Sequence, residues 1–341
     1  MYFKFLLFIS FVLLFATLSG YIKSSFVFFE LLSHFKIHLL ILSLILILPA
    51  YYSGHHIITF CVLASLLLNT HSVLPWYFGR TQPLTQTELA NYSKVKVLTS
   101  NVKFNNREFA PLLDLIEKEN PDVVLLQELN EEWRTAIKPL EKRYPYSFIE
   151  DPGNNFGIAI LSKTLLTKKE VINIQTFDTP SLSAVANIDG LNIQFISTHP
   201  NPPISKELFL SRDEMFNELT YSVQRSSHPI VIGGDFNVTM WSPSYKKLIK
   251  NSGLKNARKG FGMQGTWPIG ESNYTNFMNI QKGEKKGTDL IPRWVVEKHP
   301  IKLPIDHVLV SKELVVHNAK VGKYIKSDHL PLIVELLIPK S

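Results

Sequence analysis

The sequence predicts an α/β chain: two stacked mixed sheets with helices on their outer faces, preceded by about three membrane-spanning helices. Three observations predict it. Long stretches of the first 79 residues carry no charge. From residue 94 onward, short β-rich runs alternate with segments of helical period. Several of those strands arrive in consecutive pairs, which a purely parallel, doubly wound sheet would not produce. The composition agrees. Of 341 residues, 45% are hydrophobic and 19% charged, and the mean hydropathy is +0.05. That charged share lies below the ~25% usual for soluble domains. With 16 Gly and 20 Pro and no repeat, collagen-like and low-complexity readings fail. Cys61 is the single cysteine, so an internal disulfide and a cysteine-rich zinc site are both excluded.

Residues 1–79 read as a membrane module. Between Lys4 and Lys23 lie 18 residues without Lys, Arg, Asp or Glu, enough to approach the ~20 that a bilayer crossing needs. No charged residue separates Lys36 from Arg80, and the run holds two apolar blocks joined by a turn near Ser53–His56. The expected spans are about 5–22, 35–52 and 57–78, with Trp76, Tyr77 and Phe78 as an interfacial aromatic belt. A cleaved signal peptide is the alternative for residues 1–20. Lys23 and Lys36 in the first loop, with Arg80 after the last span, put the large domain on the cytoplasmic side by a small margin. The expected location is a membrane, with the chain in contact with the bilayer through residues 1–79. His55, His56 and His71 lack an acidic neighbour and read as interfacial polar residues.

Residues 80–93 are polar, contain Pro83 and read as a linker to a domain over 94–341. Residues 94–102 form a β-rich run. Residues 106–121 show helical spacing closed by Pro121, and 122–129 form a buried strand. A helix over 131–140 follows. Residues 156–163, 183–189 and 191–199 are strands, the last two joined as a hairpin across Asp189–Gly190. A long helix covers 205–225, a buried strand 228–237, and a helix closed by Gly253 covers 242–253. Strands over 304–312 and 329–338 end the set. Residues 254–303 are irregular, which points to a functional loop or a partly disordered segment. Residues 80–341 keep 33 of the 36 cations and 28 of the 29 acids, a net of +5. Such a balance suits an anionic substrate or a lipid surface without requiring either.

Polar residues collect at the strand ends. Asn101, Glu128, His199, and Asp235 with Asn237 close four strands. Asp306 and His307 interrupt a fifth, and Asp328 and His329 open the sixth. Asn and Asp favour turns anyway, so one such ending would mean little. Six on six apolar strands imply one shared rim. The acids are hard oxygen donors suited to Mg²⁺, or to Mn²⁺. The histidines exchange protons near neutral pH, and the asparagines donate to phosphate oxygens without adding negative charge. That inventory fits metal-assisted attack of water on a phosphate ester. His307 alternates with Asp306 along its strand and points the opposite way, as a packed histidine. His228, His299 and His317 read as surface. Arg212 either reaches a phosphate or caps local acids. Trp241 and Trp267 either line a substrate groove or pack.

The pieces LTSNV (98–102), LLQEL (125–129), ISTHP (196–200), GGDFN (233–237), IDHVLV (305–310) and SDHLP (327–331), in this order, resemble the endonuclease/exonuclease/phosphatase superfamily. HPNPP (199–203) with Arg212, and TWP (266–268), are more similar to the bacterial YafD-like subgroup. The resemblance implies a DNase I-like, four-layer αββα sandwich. It implies that Glu128 binds the principal metal with Asn101 beside it, and that Asp235 orients or deprotonates the attacking water. Asn237 would orient the phosphate, and His329 would act as base or stabilise the phosphorane. Asp306 would contact a catalytic histidine, and Asp328 would sit at the metal rim or orient His329. His199 would protonate the leaving oxygen. The implied activity is a membrane-anchored, Mg²⁺-dependent hydrolase of phosphodiesters or phosphomonoesters. Nucleic acid, a lipid or phosphoinositide headgroup, and a small metabolite all fit as substrate. The best basic run, KGEKKG (282–287), reads more as a solvated loop than as a nucleic-acid groove. A catalytically silent scaffold would require missing site residues, and none is missing. No protein partner follows from the sequence.

Overall fold

The computed structural model describes residues 2–22, 27–80, 85–268 and 302–340. The basic run 282–287 and His299 lie outside the described residues.

Twelve strands form two six-stranded mixed sheets. The first sheet contains β1 (Tyr92–Asn101), β2 (Val123–Leu129), β3 (Tyr146–Glu150), β4 (Gly157–Ser162), β11 (Val315–Val321) and β12 (Leu332–Pro339), in the order β11-β12-β1-β2-β4-β3. The second contains β5 (Leu166–Ile172), β6 (Ser181–Ile188), β7 (Leu191–Thr198), β8 (Ile230–Asp235), β9 (Lys255–Asn256) and β10 (Asp306–Val310), in the order β5-β6-β7-β8-β10-β9. Each sheet has one parallel pair near its centre, β1 with β2 and β7 with β8, and antiparallel neighbours elsewhere. A helix makes each parallel crossover: α6 (Ala110–Glu119) in the first sheet and α8 (Lys206–Arg225) in the second. In such units the carboxyl ends of the parallel strands form a natural crevice.

Alternation along the strands divides the core into three layers. Val123 and Leu125 of β2 meet Phe195 and Val231 between the sheets, while Val124 and Leu126 pack outward with Leu112, Ile116 and Trp133. On the far side, Ile196 and Ile232 meet Phe216 and Leu219 of α8 and Leu248 of α9 (Pro243–Ser252). The result is helices, sheet, sheet, helices. Local chemistry fixes the element ends. Ser205 and Ser242 cap α8 and α9 through backbone N–H groups of Leu208 and of Ser244 and Tyr245. Gly253 ends α9 at φ +70, and Asp189–Gly190 turns the β6–β7 hairpin with both residues at positive φ.

The first 80 residues form α1 (Tyr2–Ser19), α2 (Val27–Ser33), α3 (Lys36–Tyr52) and α4 (His56–Val73), with a 3₁₀ turn over Leu74–Tyr77. Three spans were expected, and the helices fall at those positions. Among the described residues, however, only the stretch His56–Tyr77 is long and apolar enough to cross a membrane. The expected span over 35–52 reaches that length only if α2 is added, and the pair is bent by 65° at the break. Phe3–Ser19 is apolar but shorter. The physical reason is polar interruption: Glu30, His34 and Lys36 are buried against other parts of the chain and end the apolar run early.

Candidate active site

The site forms where the parallel pairs end. Antiparallel neighbours bring their starting residues to the same rim. In the β8–β10 ladder Asp306 pairs directly with Asp235, and residues 327–329 lead into β12 beside the end of β1. Ser327 Oγ donates to the Asn101 carbonyl at 2.8 Å and accepts from the His329 backbone N–H at 3.1 Å, so this turn is fastened to β1. Below the rim, buried Gln127 accepts from Thr99 Oγ1 and donates to Ser197 Oγ at 3.0 Å, tying the two sheets together.

Glu128 is the extra residue of a bulge between Gln127 and Leu129, with φ +63. The bulge turns its side chain out of the ladder and toward the cleft. Its Oε1 accepts from Asn101 Nδ2 at 2.8 Å and its Oε2 from the Phe104 N–H at 2.9 Å. The same Asn101 amide reaches Asp235 Oδ2 at 3.2 Å. Asn101 therefore bridges two carboxylates through its N–H groups, while its carbonyl oxygen accepts from the Lys103 N–H. Asp235 Oδ1 accepts from the Asn237 N–H at 2.9 Å in a tight turn, and Asn237 Nδ2 donates to the Pro200 carbonyl at 2.9 Å.

Two histidines face Asp235 Oδ2, each with Nε2 at 3.5 Å: His199 and His329. His199 Nε2 also lies 3.8 Å from Glu128 Oε1. His329 Nδ1 lies 2.8 Å from Asp306 Oδ2. The electrostatics follow. Burial would push His329 down, but Asp306 and Asp235 outweigh it and hold the imidazolium up to about 10. Burial also works against protonated His199, and Asp235 with Glu128 overcomes it, so His199 is raised as well. Burial pushes the Asp235 carboxyl up, yet His329 and His199 prevail and hold it at about 2. Asp306 goes the other way, raised chiefly by burial.

The orienting acid of His329 is thus Asp306. Asp328 instead lies 3.9 Å from Lys103 Nζ, at the partly exposed rim. The tight grouping of possible metal ligands also differs from the expected trio of Glu128, Asn101 and Asp328. Among the described residues, Asp235, Asp306 and His329 each offer one ligand atom within 4.8 Å of one another. Asn101 turns its side-chain N–H groups toward Glu128 and Asp235.

Of the three expected substrate contacts, one is at the rim. The Trp267 ring lies 6.4 Å from that of His329. Arg212 is fully buried and paired with Glu30 at 2.9 Å and Asp213 at 3.1 Å, so it cannot meet a substrate. Trp241 is 1% exposed and donates Nε1–H to the Ser72 carbonyl, packed against α4. Both outcomes, an arginine that caps local acids and a tryptophan that packs, have one cause: the N-terminal helices cover this face. Glu30 also accepts from Ser242 Oγ, and His34 Nδ1 lies 3.0 Å from Thr239 Oγ1. These contacts fasten α2 to the segment that follows Asn237. His307 packs as expected, 0% exposed, between Asn256, Arg258 and the Val238 carbonyl.

Three neighbours of the site carry no signal in the sequence. Buried Arg258 holds the Asp306 carbonyl at 2.7 Å. The Phe156 ring lies 5.0 Å from His199. Lys103 stands at the rim with φ +64.

The model of the Endonuclease/Exonuclease/phosphatase family matches residues 98–329. A comparison with curated proteins finds no match. Among solved structures, TDP2 from C. elegans is similar at TM-score 0.54 and 20% identity over 71% of this chain and 75% of that one. A family protein from Leptotrichia buccalis gives 0.52 and 19% over 71% and 99%. D. rerio TDP2 in complex with a single-strand DNA product gives 0.52 and 16% over 72% and 99%. These likenesses bear on the fold alone.

Proposed function

Because the chain belongs to the endonuclease/exonuclease/phosphatase family, we propose that it is a divalent-metal-dependent phosphoesterase held at a membrane by residues 1–79. The observation that carries this reading is the continuous line Asp306–His329–Asp235–His199–Glu128, in which each acid touches a histidine. Alternating acids and imidazoles at strand ends suit charge stabilisation at phosphorus.

The residues fit a hard cation. Asp306 Oδ1 is buried without a hydrogen-bond partner, and the donors are mostly carboxylate oxygens. Glu128 and Asp235 would hold Mg²⁺, or Mn²⁺, with Asp306 close by. When bound, the cation supplies Lewis-acid charge to the phosphoryl oxygens and acidifies water. A carboxyl held at about 2 is a weak base, so Asp235 orients the attacking water and takes its proton only as the bond to phosphorus forms and that water becomes strongly acidic. His329, kept protonated by Asp306, donates to a phosphoryl oxygen as charge builds there. His199, also raised, donates to the leaving oxygen. Asn237 keeps one amide N–H on Pro200 and has its second for a phosphate oxygen.

The membrane reading draws on exposed apolar side chains along the helices, among them Phe8, Ile45, Leu48 and Phe60, each more than half exposed. Lys36 lies at the bundle end nearest the sheets, which favours a cytoplasmic catalytic domain at a bacterial inner membrane. HPNPP and TWP support the YafD-like subgroup. The substrate is a phosphate ester, a phosphodiester or a phosphomonoester. The DNA product bound to the D. rerio structure makes nucleic acid the first alternative to test. The test uses the full chain in detergent with Mg²⁺ against bis-p-nitrophenyl phosphate, single-stranded DNA and phospholipid vesicles. Hydrolysis of at least one, lost in Asp235→Asn, is expected. No hydrolysis of any, with no metal binding by calorimetry, would favour a silent scaffold.

A further inference from the structure

A second cleft, of about 530 Å³, opens at the foot of the helical bundle on the outer face of the second sheet. Its walls are apolar and aromatic: Tyr21 beyond α1, Trp76 beyond α4, and Met240, Trp241, Ile249 and Leu254. Four lysines, Lys246, Lys250, Lys255 and Lys259, also line it, and no Asp or Glu does among the described residues. Lys246 lies 5.2 Å above the Tyr21 ring and Lys259 lies 5.3 Å above the Trp76 ring. Burial pushes Lys246 below its ordinary range. It does the same to Lys255, partly offset by Glu313. The walls are fixed by hydrogen bonds from Trp241 Nε1 to Ser72 and from the Gly260 and Gly262 N–H groups to the Trp76 carbonyl. Four cations around an apolar hollow are an arrangement that an amphiphilic anion would relieve.

The helices say where that anion comes from. Tyr21 Oη binds the Leu68 carbonyl and Ser72 Oγ near the end of α4, while Phe3 stacks on His55 at its start. α1 and α4 therefore run parallel, and α3 returns so that Lys36 lies 3.8 Å over the Tyr21 ring. The exposed apolar helix surface thus ends where the lysines begin. A bilayer covering that surface would set its headgroup layer at the cleft.

We propose that the cleft binds one anionic phospholipid of the adjoining leaflet, with its phosphate among the four lysines and its first acyl segment against Tyr21 and Trp76. The proposal rests on the membrane reading above and adds a ligand site apart from the strand-end chemistry.

The test reconstitutes the full chain into phosphatidylcholine vesicles with or without phosphatidylglycerol, checks flotation, and reads tryptophan quenching by either lipid brominated on its chains. The chain floats with both vesicles, and brominated phosphatidylglycerol quenches about twofold more than brominated phosphatidylcholine at equal fraction. Each lysine carries roughly fivefold of the lipid preference, so K246Q/K250Q/K255Q/K259Q abolishes it and the four arginine replacements keep it. Lys138→Gln with Lys142→Gln, on the outer layer of the other sheet, removes two charges and leaves the preference intact. If the fourfold variant fails to fold, Lys250→Glu on the exposed side of α9 is the second test, and it weakens the preference. Equal quenching by the two lipids would overturn the site while leaving the anchor standing. Displacement by soluble glycerol phosphate would also overturn it, by showing a free phosphate ligand. Failure to float with either vesicle would retire the membrane reading and the site together.

Discussion

Asp306→Asn removes one charge and keeps the shape of the group that holds His329. The carboxylate lies 2.8 Å from Nδ1, and both residues are buried. Burial works against the imidazolium, while Asp306, then Asp235, holds it up to about 10. A hydrogen bond to a charged group contributes about 1.5–3 kcal/mol. One pKa step corresponds to about 1.4 kcal/mol, so His329 should fall by roughly one to two steps. If protonated His329 donates to the phosphoryl group, the alkaline limb of kcat moves down by the same amount. His329 then still holds its proton near neutral pH, so kcat should change little there and fall above about pH 8, where the weakened imidazolium is lost. KM should stay within about threefold, because the loss falls on the transition state. The assay is hydrolysis of bis-p-nitrophenyl phosphate by the full chain in detergent, with saturating Mg²⁺, across the neutral and alkaline range. An alkaline limb that stays at its wild-type position would refute the role given to His329.

Other consequences can be measured on the same protein. Arg212→Met alone leaves Glu30 buried without its cation and should cost about 3–5 kcal/mol, while Glu30→Leu with Arg212→Met should recover most of it; thermal unfolding distinguishes the two. Gly234→Ala drives a methyl group into the Thr198 carbonyl across the β7–β8 ladder, with an expected loss of about 1–3 kcal/mol and displaced Asp235, read by unfolding and by activity. His307 is held well below its ordinary value by burial and by Arg258, so the unfolded chain takes a proton that the folded one refuses. Stability should therefore fall as pH drops below about 6.5, and His307→Gln should flatten that fall in urea titrations. His329 acts with the opposite sign: in chelator-treated protein its contribution is complete below about 6.5 and is lost as pH rises toward about 10.

Strands buried on both faces were legible in the sequence, as in β2, β8 and β12, because their apolar runs are bounded by turn residues. The edge strands β3, β5 and β11 were not. In β5 the residues Thr167–Glu170 are exposed, and an edge that must avoid pairing with other chains carries charge in place of an apolar pattern. The rim itself was legible, since acids, amides and histidines at strand ends stand out against buried runs. Which acid serves His329 was not, because Asp306 and Asp328 differ only in where the chain carries them. The choice between the two readings of Arg212 and of Trp241 stayed open for a related reason. Helix α2 lies far from them in sequence, and its Glu30 creates a buried ion pair that local spacing cannot reveal. The helix positions in residues 1–79 were readable, but their usable apolar lengths were not, since Glu30, His34 and Lys36 find buried partners in the folded chain.

The central claim is that Glu128, on its bulge, holds a divalent cation beside Asp235 and the two histidines. Its most direct test is Mn²⁺ binding followed by electron paramagnetic resonance on the full chain, wild type against Glu128→Gln. The account predicts stoichiometric binding in the wild type, weakened by about tenfold or more in the variant, with hydrolysis lost in parallel. Equal Mn²⁺ affinity and equal hydrolysis in the two proteins would contradict it.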